Sequence, residues 1–157
     1  MKVAIIWIGK TRDKRLAGLV DDYLERARRM QRVDVVELRD RGGASSERGE
    51  PVVLARETEA LLGALEEGDY VVLCDEHGAQ LRSEEFASII SHHQRRATRR
   101  LVFIIGGYLG VTDEIKGRAD RVFALSKMTF THEMARMLLA EQLYRALTIV
   151  NGIPYQK

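Results

Sequence analysis

Four short runs of nearly unbroken apolar residues punctuate this chain, at positions 3–8, 70–74, 101–105 and 122–125. A strand with one wet face alternates apolar and polar side chains, whereas a strand covered on both faces does not. These runs therefore read as strands buried beneath helices on two sides. A fifth run, Val33-Asp34-Val35-Val36-Glu37-Leu38, alternates more and belongs nearer an edge. Between the runs lie segments of helical periodicity, at about 12–30, 51–66, 83–97, 113–118 and 131–147. Three of them carry a start signal: Ser83 before Glu84 and Glu85, Thr112 before Asp113 and Glu114, and Thr131 before Glu133. Each is an N-cap residue type with acid in the first turn behind it. The resulting β-α-β-α-β-α-β-α-β-α order predicts an α/β fold with a mostly parallel sheet and helices on both faces.

At 157 residues the chain reads as a single domain, 1–157, with no internal repeat or linker. Apolar residues at 45% and charged ones at 31% exclude a disordered or membrane chain. No apolar run approaches the ~20 residues a bilayer span needs. The opening Met1-Lys2-Val3-Ala4-Ile5-Ile6-Trp7-Ile8-Gly9-Lys10 lacks a small-residue cleavage site and runs into charge, so it reads as a strand and the expected compartment is the cytoplasm. The lone cysteine, Cys74, excludes an internal disulfide and a thiolate metal cluster. In a strand pattern it is a small buried hydrophobe; the rival reading, a reactive thiol, needs exposure and a lowered pKa. A net charge of +2 does not by itself argue for nucleic acid. The local clusters Arg26-Ala27-Arg28-Arg29 with Arg32, and Arg95-Arg96-Ala97-Thr98-Arg99-Arg100, read as solvated helix ends or as phosphate contacts. Residues 40–51, rich in Gly, Ser and charge, form the one obvious loop of low order.

Three segments follow predicted strands, at the ends where α/β sheets bind ligands: Cys74-Asp75-Glu76-His77-Gly78, Gly106-Gly107-Tyr108-Leu109-Gly110 and Ser126-Lys127-Met128-Thr129-Phe130. The glycine segment is neither a Walker A sequence nor a dinucleotide fingerprint. It suits close approach of an anion to backbone amides or, equally, a tight turn needing positive φ. Asp75, Glu76 and His77 cannot all face one ion on an extended chain, and His92, His93 and His132 lack ligand spacing, so no metal is expected. No Gly-x-Ser-x-Gly elbow supports a hydrolase. In the closing helix, Met134, Met137, Leu138, Leu139, Leu143, Tyr144 and Leu147 go round the axis, with Glu141 and Arg145 spaced to pair. Such a helix must bury two sides, either in a partner interface, the favoured reading, or at the centre of its own fold.

In sequence order, Phe103-Ile104-Ile105-Gly106-Gly107-x-x-Gly110, Arg118-Ala119-Asp120, Leu125-Ser126-Lys127-Met128-Thr129-Phe130-Thr131-His132, Glu141-Gln142-Leu143-Tyr144-Arg145-Ala146 and Pro154-Tyr155-x-Lys157 resemble the RlmH family. These are large-subunit ribosomal RNA methyltransferases of the SPOUT (trefoil-knotted) superfamily. The opening Met1-Lys2-Val3…Gly9-Lys10 and Asp75-Glu76-x-Gly78-x-x-Leu81-x-Ser83-Glu84-Glu85-Phe86 are similar too, so the resemblance spans the chain. It implies a C-terminal trefoil knot, S-adenosyl-L-methionine as cofactor, and a homodimer that methylates N3 of a pseudouridine in 23S rRNA on the assembled ribosome. It implies neither a metal nor a membrane. The family's cofactor positions fall on Cys74, Gly106, Leu125, Ser126, Lys127, Met128, Thr129 and Phe130. By the same resemblance, Arg145, Tyr155 and Lys157 lie where RNA must arrive and are the candidate catalytic residues. Two positions depart from the family: Cys74 stands where Leu is common, and Gln156 where His is usual. Glutamine cannot act as a base near neutral pH. The second departure keeps open an alternative, a non-catalytic ribosome-associated protein that retained the fold.

Overall fold

A computed structural model describes residues 1–40 and 49–155. Most of the low-order loop, and the tail positions Gln156 and Lys157, lie outside the described residues. The elements alternate as the periodicity predicts: β1 (Lys2–Ile8), α1 (Lys14–Arg28), β2 (Val33–Leu38), α2 (Glu50–Gly63), β3 (Tyr70–Gln80), α3 (Ser83–Arg95), β4 (Arg100–Ile105), α4 (Asp113–Arg118), β5 (Arg121–Ala124) and α5 (His132–Val150). The sheet order is β2-β1-β4-β3-β5 and every pair is parallel. The more alternating strand, β2, is an edge, as expected.

Side chains of successive strand residues point to opposite faces, so each unbroken run feeds two cores. Val3, Ile5, Trp7, Leu101 and Phe103 meet α1, α3 and α5 on one face. Ala4, Ile6, Ile8, Val102 and Ile104 meet α2 and α4 on the other. Helix α5 lies between α1 and α3 and inserts Leu139, Leu143 and Leu147, none of them exposed to solvent. The chain itself thus covers the sheet-facing side and both flanks of this helix. Central position, the alternative to a partner interface, accounts for apolar residues on those sides.

Two of the three predicted caps act differently. Arg82, not Ser83, occupies the N-cap of α3, and its amide donates to the Glu85 carboxylate at 2.7 Å. The Ser83 hydroxyl donates instead to Gln142 Oε1 on α5 at 3.0 Å, a tertiary contact that periodicity does not reveal. Thr112 sits at the N-cap of α4, but its hydroxyl pairs with that of Thr58 at 2.9 Å. Thr131 does cap α5, accepting from the Met134 amide at 3.3 Å.

The segment read as a loop after residue 74 is a correction. Strand β3 pairs with β4 up to Cys74, then continues along β5 to Gln80, with a register shift between Cys74 and Ala79. Gly78 makes that path possible. A Cβ there would lie 2.5 Å from the Phe123 carbonyl carbon, backbone that cannot yield cheaply. Gly78→Ala should therefore cost about 1–3 kcal/mol of stability, the usual range for overpacking. Thermal unfolding checks it, and an unchanged Tm would mean that β3 and β5 can separate locally.

Candidate functional site

The parallel sheet sets its strand ends on one edge, and the connections leave neighbouring strands on opposite faces. The connection from β4 runs to α4 on one face, while those from β1 and β3 run to α1 and α3 on the other. A crevice opens where neighbouring connections diverge in this way. At the carboxyl ends of β3, β4 and β5 it is a cavity of about 720 Å³. That falls within the ~300–1,000 Å³ typical of small-molecule sites.

All three segments singled out in the sequence converge on it. Cys74, Asp75, Glu76 and His77 come from the bulged part of β3, Gly106 to Val111 from the glycine turn, and Leu125, Ser126, Met128, Thr129 and Phe130 from the loop before α5. Of the eight expected cofactor positions, only Lys127 is absent from the lining. The Met128 amide donates to the Ser126 hydroxyl at 3.0 Å, folding a tight turn that leaves Lys127 exposed. Met128, at 73% exposure, and Phe130, at 38%, are two large apolar side chains left partly uncovered at the mouth. Thr129 donates its hydroxyl to the Glu76 carboxylate, tying this loop to β3.

The glycine turn serves both of its sequence readings. It closes with Gly110 at φ +79°, the left-handed region, and the Gly110 amide donates to the Gly107 carbonyl at 3.1 Å. Gly107 is a close-approach position: a Cβ there would lie 2.6 Å from a carboxylate oxygen of Glu57 on α2. Burial pushes the Cys74 thiol well above its ordinary pKa. Cys74 is therefore a neutral lining residue, and the reactive-thiol alternative falls. Burial opposes the charge on Asp75, but hydrogen bonds from the His77 amide and ring, each at 2.9 Å, with Lys116 nearby, hold its carboxyl below the usual range. The cavity thus has an apolar body of Ile105, Leu109, Val111 and Leu125 with carboxylates and hydroxyls on one side. That suits an amphipathic ligand bearing positive charge. No cluster of residues able to hold a metal occurs among the described residues.

The other candidates assemble elsewhere. Arg145 binds Glu141 at 2.9 Å through Nε and 2.5 Å through Nη2, and its guanidinium lies 4.7 Å from the centre of the Tyr155 ring. Tyr155 in turn donates to Glu141 at 3.3 Å. This cluster is compact, but neither Arg145 nor Tyr155 lines the cavity. Much of the basic character read from the sequence is neutralised: Arg26 pairs with Asp22, Arg29 with Glu25, Arg99 with Glu66, and buried Arg100 with Asp69 at 2.9 Å.

Three residues escaped the sequence reading. Arg136 is 1% exposed; its guanidinium donates to the Ile8 carbonyl at 2.5 Å and to Thr11 at 2.9 Å, and it lies over the Trp7 ring. Its signal was a lone cation on the sheet-facing side of an otherwise apolar helix. Glu133, in the next turn towards the N-terminus, accepts from the Arg12 and Asp13 amides at 2.9 and 3.1 Å. Together they clamp α5 to the β1–α1 connection. Glu57 is 2% exposed, and neither carboxylate oxygen has a hydrogen-bond partner. Burial, with Asp40 nearby, raises its pKa to about 7. No helix among the described residues is long and apolar enough to cross a membrane.

Residues 1–156 match a family model described as a predicted SPOUT methyltransferase. The chain is 44% identical over 155 residues to a Geobacter sulfurreducens protein named ribosomal RNA large subunit methyltransferase H, covering 99% of each chain. Proteins of the same name from Trichlorobacter lovleyi and Bacteroides thetaiotaomicron are 46% and 37% identical, again with 99% of this chain covered and 99% and 98% of theirs. A crystal structure of a probable methyltransferase from Bordetella pertussis Tohama I superposes with a TM-score of 0.55 at 15% identity. The match covers 93% of this chain and 96% of that one, a likeness of fold alone.

An acid whose folded pKa exceeds its unfolded value holds its proton more tightly when folded, so its contribution to stability is lost as pH rises. For Glu57 the window runs from about 4.5 to about 7. The Tm difference between Glu57→Gln and the parent should move in the variant's favour through that window and level off above it. A difference independent of pH would show that Glu57 titrates normally.

Proposed function

The chain belongs to the SPOUT methyltransferase family, and from that premise we propose that it transfers a methyl group from S-adenosyl-L-methionine to N3 of a pseudouridine in 23S rRNA on the assembled ribosome. Near-full-length similarity to proteins named for large-subunit ribosomal RNA methylation makes it an rRNA methyltransferase. The finer target rests on the family resemblance. The observation that carries the cofactor reading is the convergence of Cys74, Gly106, Leu125, Ser126, Met128, Thr129 and Phe130 on one cavity. The trefoil path, the cytoplasmic location and the homodimer belong to the same proposal.

The residues present fit the cofactor. Ile105, Leu109, Val111 and Leu125 offer an apolar slot for an adenosine, and Ser126 and Thr129 offer hydroxyls at its edge. Asp75, held ionised, places negative charge in the same cavity. When bound, S-adenosyl-L-methionine supplies an electrophilic methyl on a sulfonium. The protein's work is then to orient donor and acceptor and to exclude water, and effective concentration accounts for much of such a rate. Lys127 contributes through the backbone of its turn, not its side chain. Arg145 and Tyr155 are outside the cavity and, with Lys157, are assigned to the arriving RNA or to a second copy of the chain.

Calorimetry should show binding of S-adenosyl-L-methionine, lost in Gly106→Val, where a side chain would strike Val111 and the Gly110 carbonyl, and retained in Lys127→Ala. Absence of binding by the parent chain would sink the cofactor reading. Ribosomes lacking the modification should accept labelled methyl; if the cofactor binds and ribosomes accept none, the non-catalytic alternative replaces this proposal. Arg145→Glu should reduce sedimentation as a dimer or lower methyl transfer, and unchanged values in both would remove Arg145 from the site.

A further inference from the structure

A second cavity, of about 740 Å³, opens at the carboxyl ends of β1, β2 and β4. It shares Gly107, Tyr108 and His132 with the cavity assigned to the cofactor, so one loop and the first residue of α5 separate the two. On its floor is Glu57, buried yet without a hydrogen-bond partner on either oxygen. A buried carboxyl left unpaired costs stability, and such groups are retained where a ligand completes them. On its rim stand Lys10, Arg12 and Arg39, all exposed and none in a side-chain ion pair among the described residues. Glu37 and Asp40 from β2 and Glu133 from α5 also face the space, though the Glu133 carboxylate is engaged by the Arg12 and Asp13 amides. Tyr108, at 53% exposure, presents an aromatic ring in the shared wall.

These features select a ligand by exclusion. A phosphate cannot sit on the carboxyl floor, and a metal ion gains nothing from three cations at the mouth. What fits both ends is a molecule with N–H donors at one end and negative charge at the other, with a flat face for Tyr108. A nucleotide has that pattern: phosphate at the rim, where Lys and Arg hold it, and a base whose ring N–H points inward. Resting on the methyltransferase reading above, we infer that this cavity receives the acceptor nucleotide and that Glu57 accepts a hydrogen bond from a ring N–H of its base. The shared wall then sets acceptor and methyl donor on the two sides of Gly107, where the missing side chain keeps the partition thin. Pseudouridine carries two ring N–H groups where uridine carries one, because its glycosidic bond is to carbon. One N–H can be held by Glu57 while the other nitrogen remains free to meet the methyl. Glu57 is thereby a specificity-determining residue for pseudouridine over uridine.

Amide chemical shifts titrated with pseudouridine 5′-monophosphate and with uridine 5′-monophosphate test this directly. Shifts should centre on Gly9, Lys10, Arg39, Glu57 and Gly107, and pseudouridine 5′-monophosphate should bind several-fold tighter. Glu57→Gln, near-isosteric and folded by its own spectrum, should erase that preference; Arg39→Ala should weaken both nucleotides alike. Shifts centred elsewhere, no shifts with either nucleotide, equal affinities in the parent, or a preference surviving in Glu57→Gln would each overturn the inference. Methyl transfer to ribosomes by the parent chain separates the two levels: if transfer proceeds while the nucleotide result fails, only this pocket assignment falls. If transfer itself is absent, the proposed function falls by its own assay.

Discussion

The two-sided burial of β1 and β4 is the constraint from which the rest of the molecule follows. Both strands sit inside the sheet, and Val3 to Ile6 and Leu101 to Ile104 are at most 1% exposed. At roughly 1.5–3 kcal/mol for each fully buried aliphatic side chain, no other contact in the chain competes with this burial. It demands a helical layer on each face, and parallel strands demand crossover connections to supply those layers. The crossovers from neighbouring strands then part to opposite faces, which leaves crevices only at the carboxyl edge. The position of both cavities is a consequence of how the core is covered.

Helix α5 links that core to the chemistry. Its apolar residues fill the space between α1 and α3, while its first two turns reach back through Glu133 and Arg136 to the β1–α1 connection. The loop just before it, residues 125–130, lines the first cavity, and its first residue, His132, lines both. Burial, with the Arg136 charge beside it, lowers the His132 pKa, so the imidazole in the shared wall is neutral near pH 7. Stability and site geometry therefore depend on the same helix. That coupling explains why a polar, hydroxyl-rich loop can hold a defined shape between a strand and a helix that are both anchored.

Much of this was legible from periodicity. Element order, the two-layer covering and the edge position of β2 were all readable, because strand and helix periods differ and burial on two faces leaves its own pattern. The three ligand segments were readable because strand ends are where such folds bind. The eight cofactor positions came from family resemblance, and seven of them line one cavity. What failed was local chemistry diverted by distant partners. Ser83 and Thr112 look like caps, yet their hydroxyls answer Gln142 and Thr58. The segment after Cys74 looks like a loop, yet β5 draws it into a bulged strand.

By itself, then, the sequence determined the layered parallel architecture and the segments that meet a ligand, since these depend on hydrophobic period and on local turn chemistry. Only the tertiary structure decided which polar groups are left unanswered. Glu57 is an ordinary acid in a helix until α2 is pressed beneath Gly107, and Arg136 is an ordinary surface cation until α5 is laid over Ile8 and Trp7. Burial and partnership are properties of three-dimensional neighbours, and the residues that supply them here are up to 128 positions away along the chain.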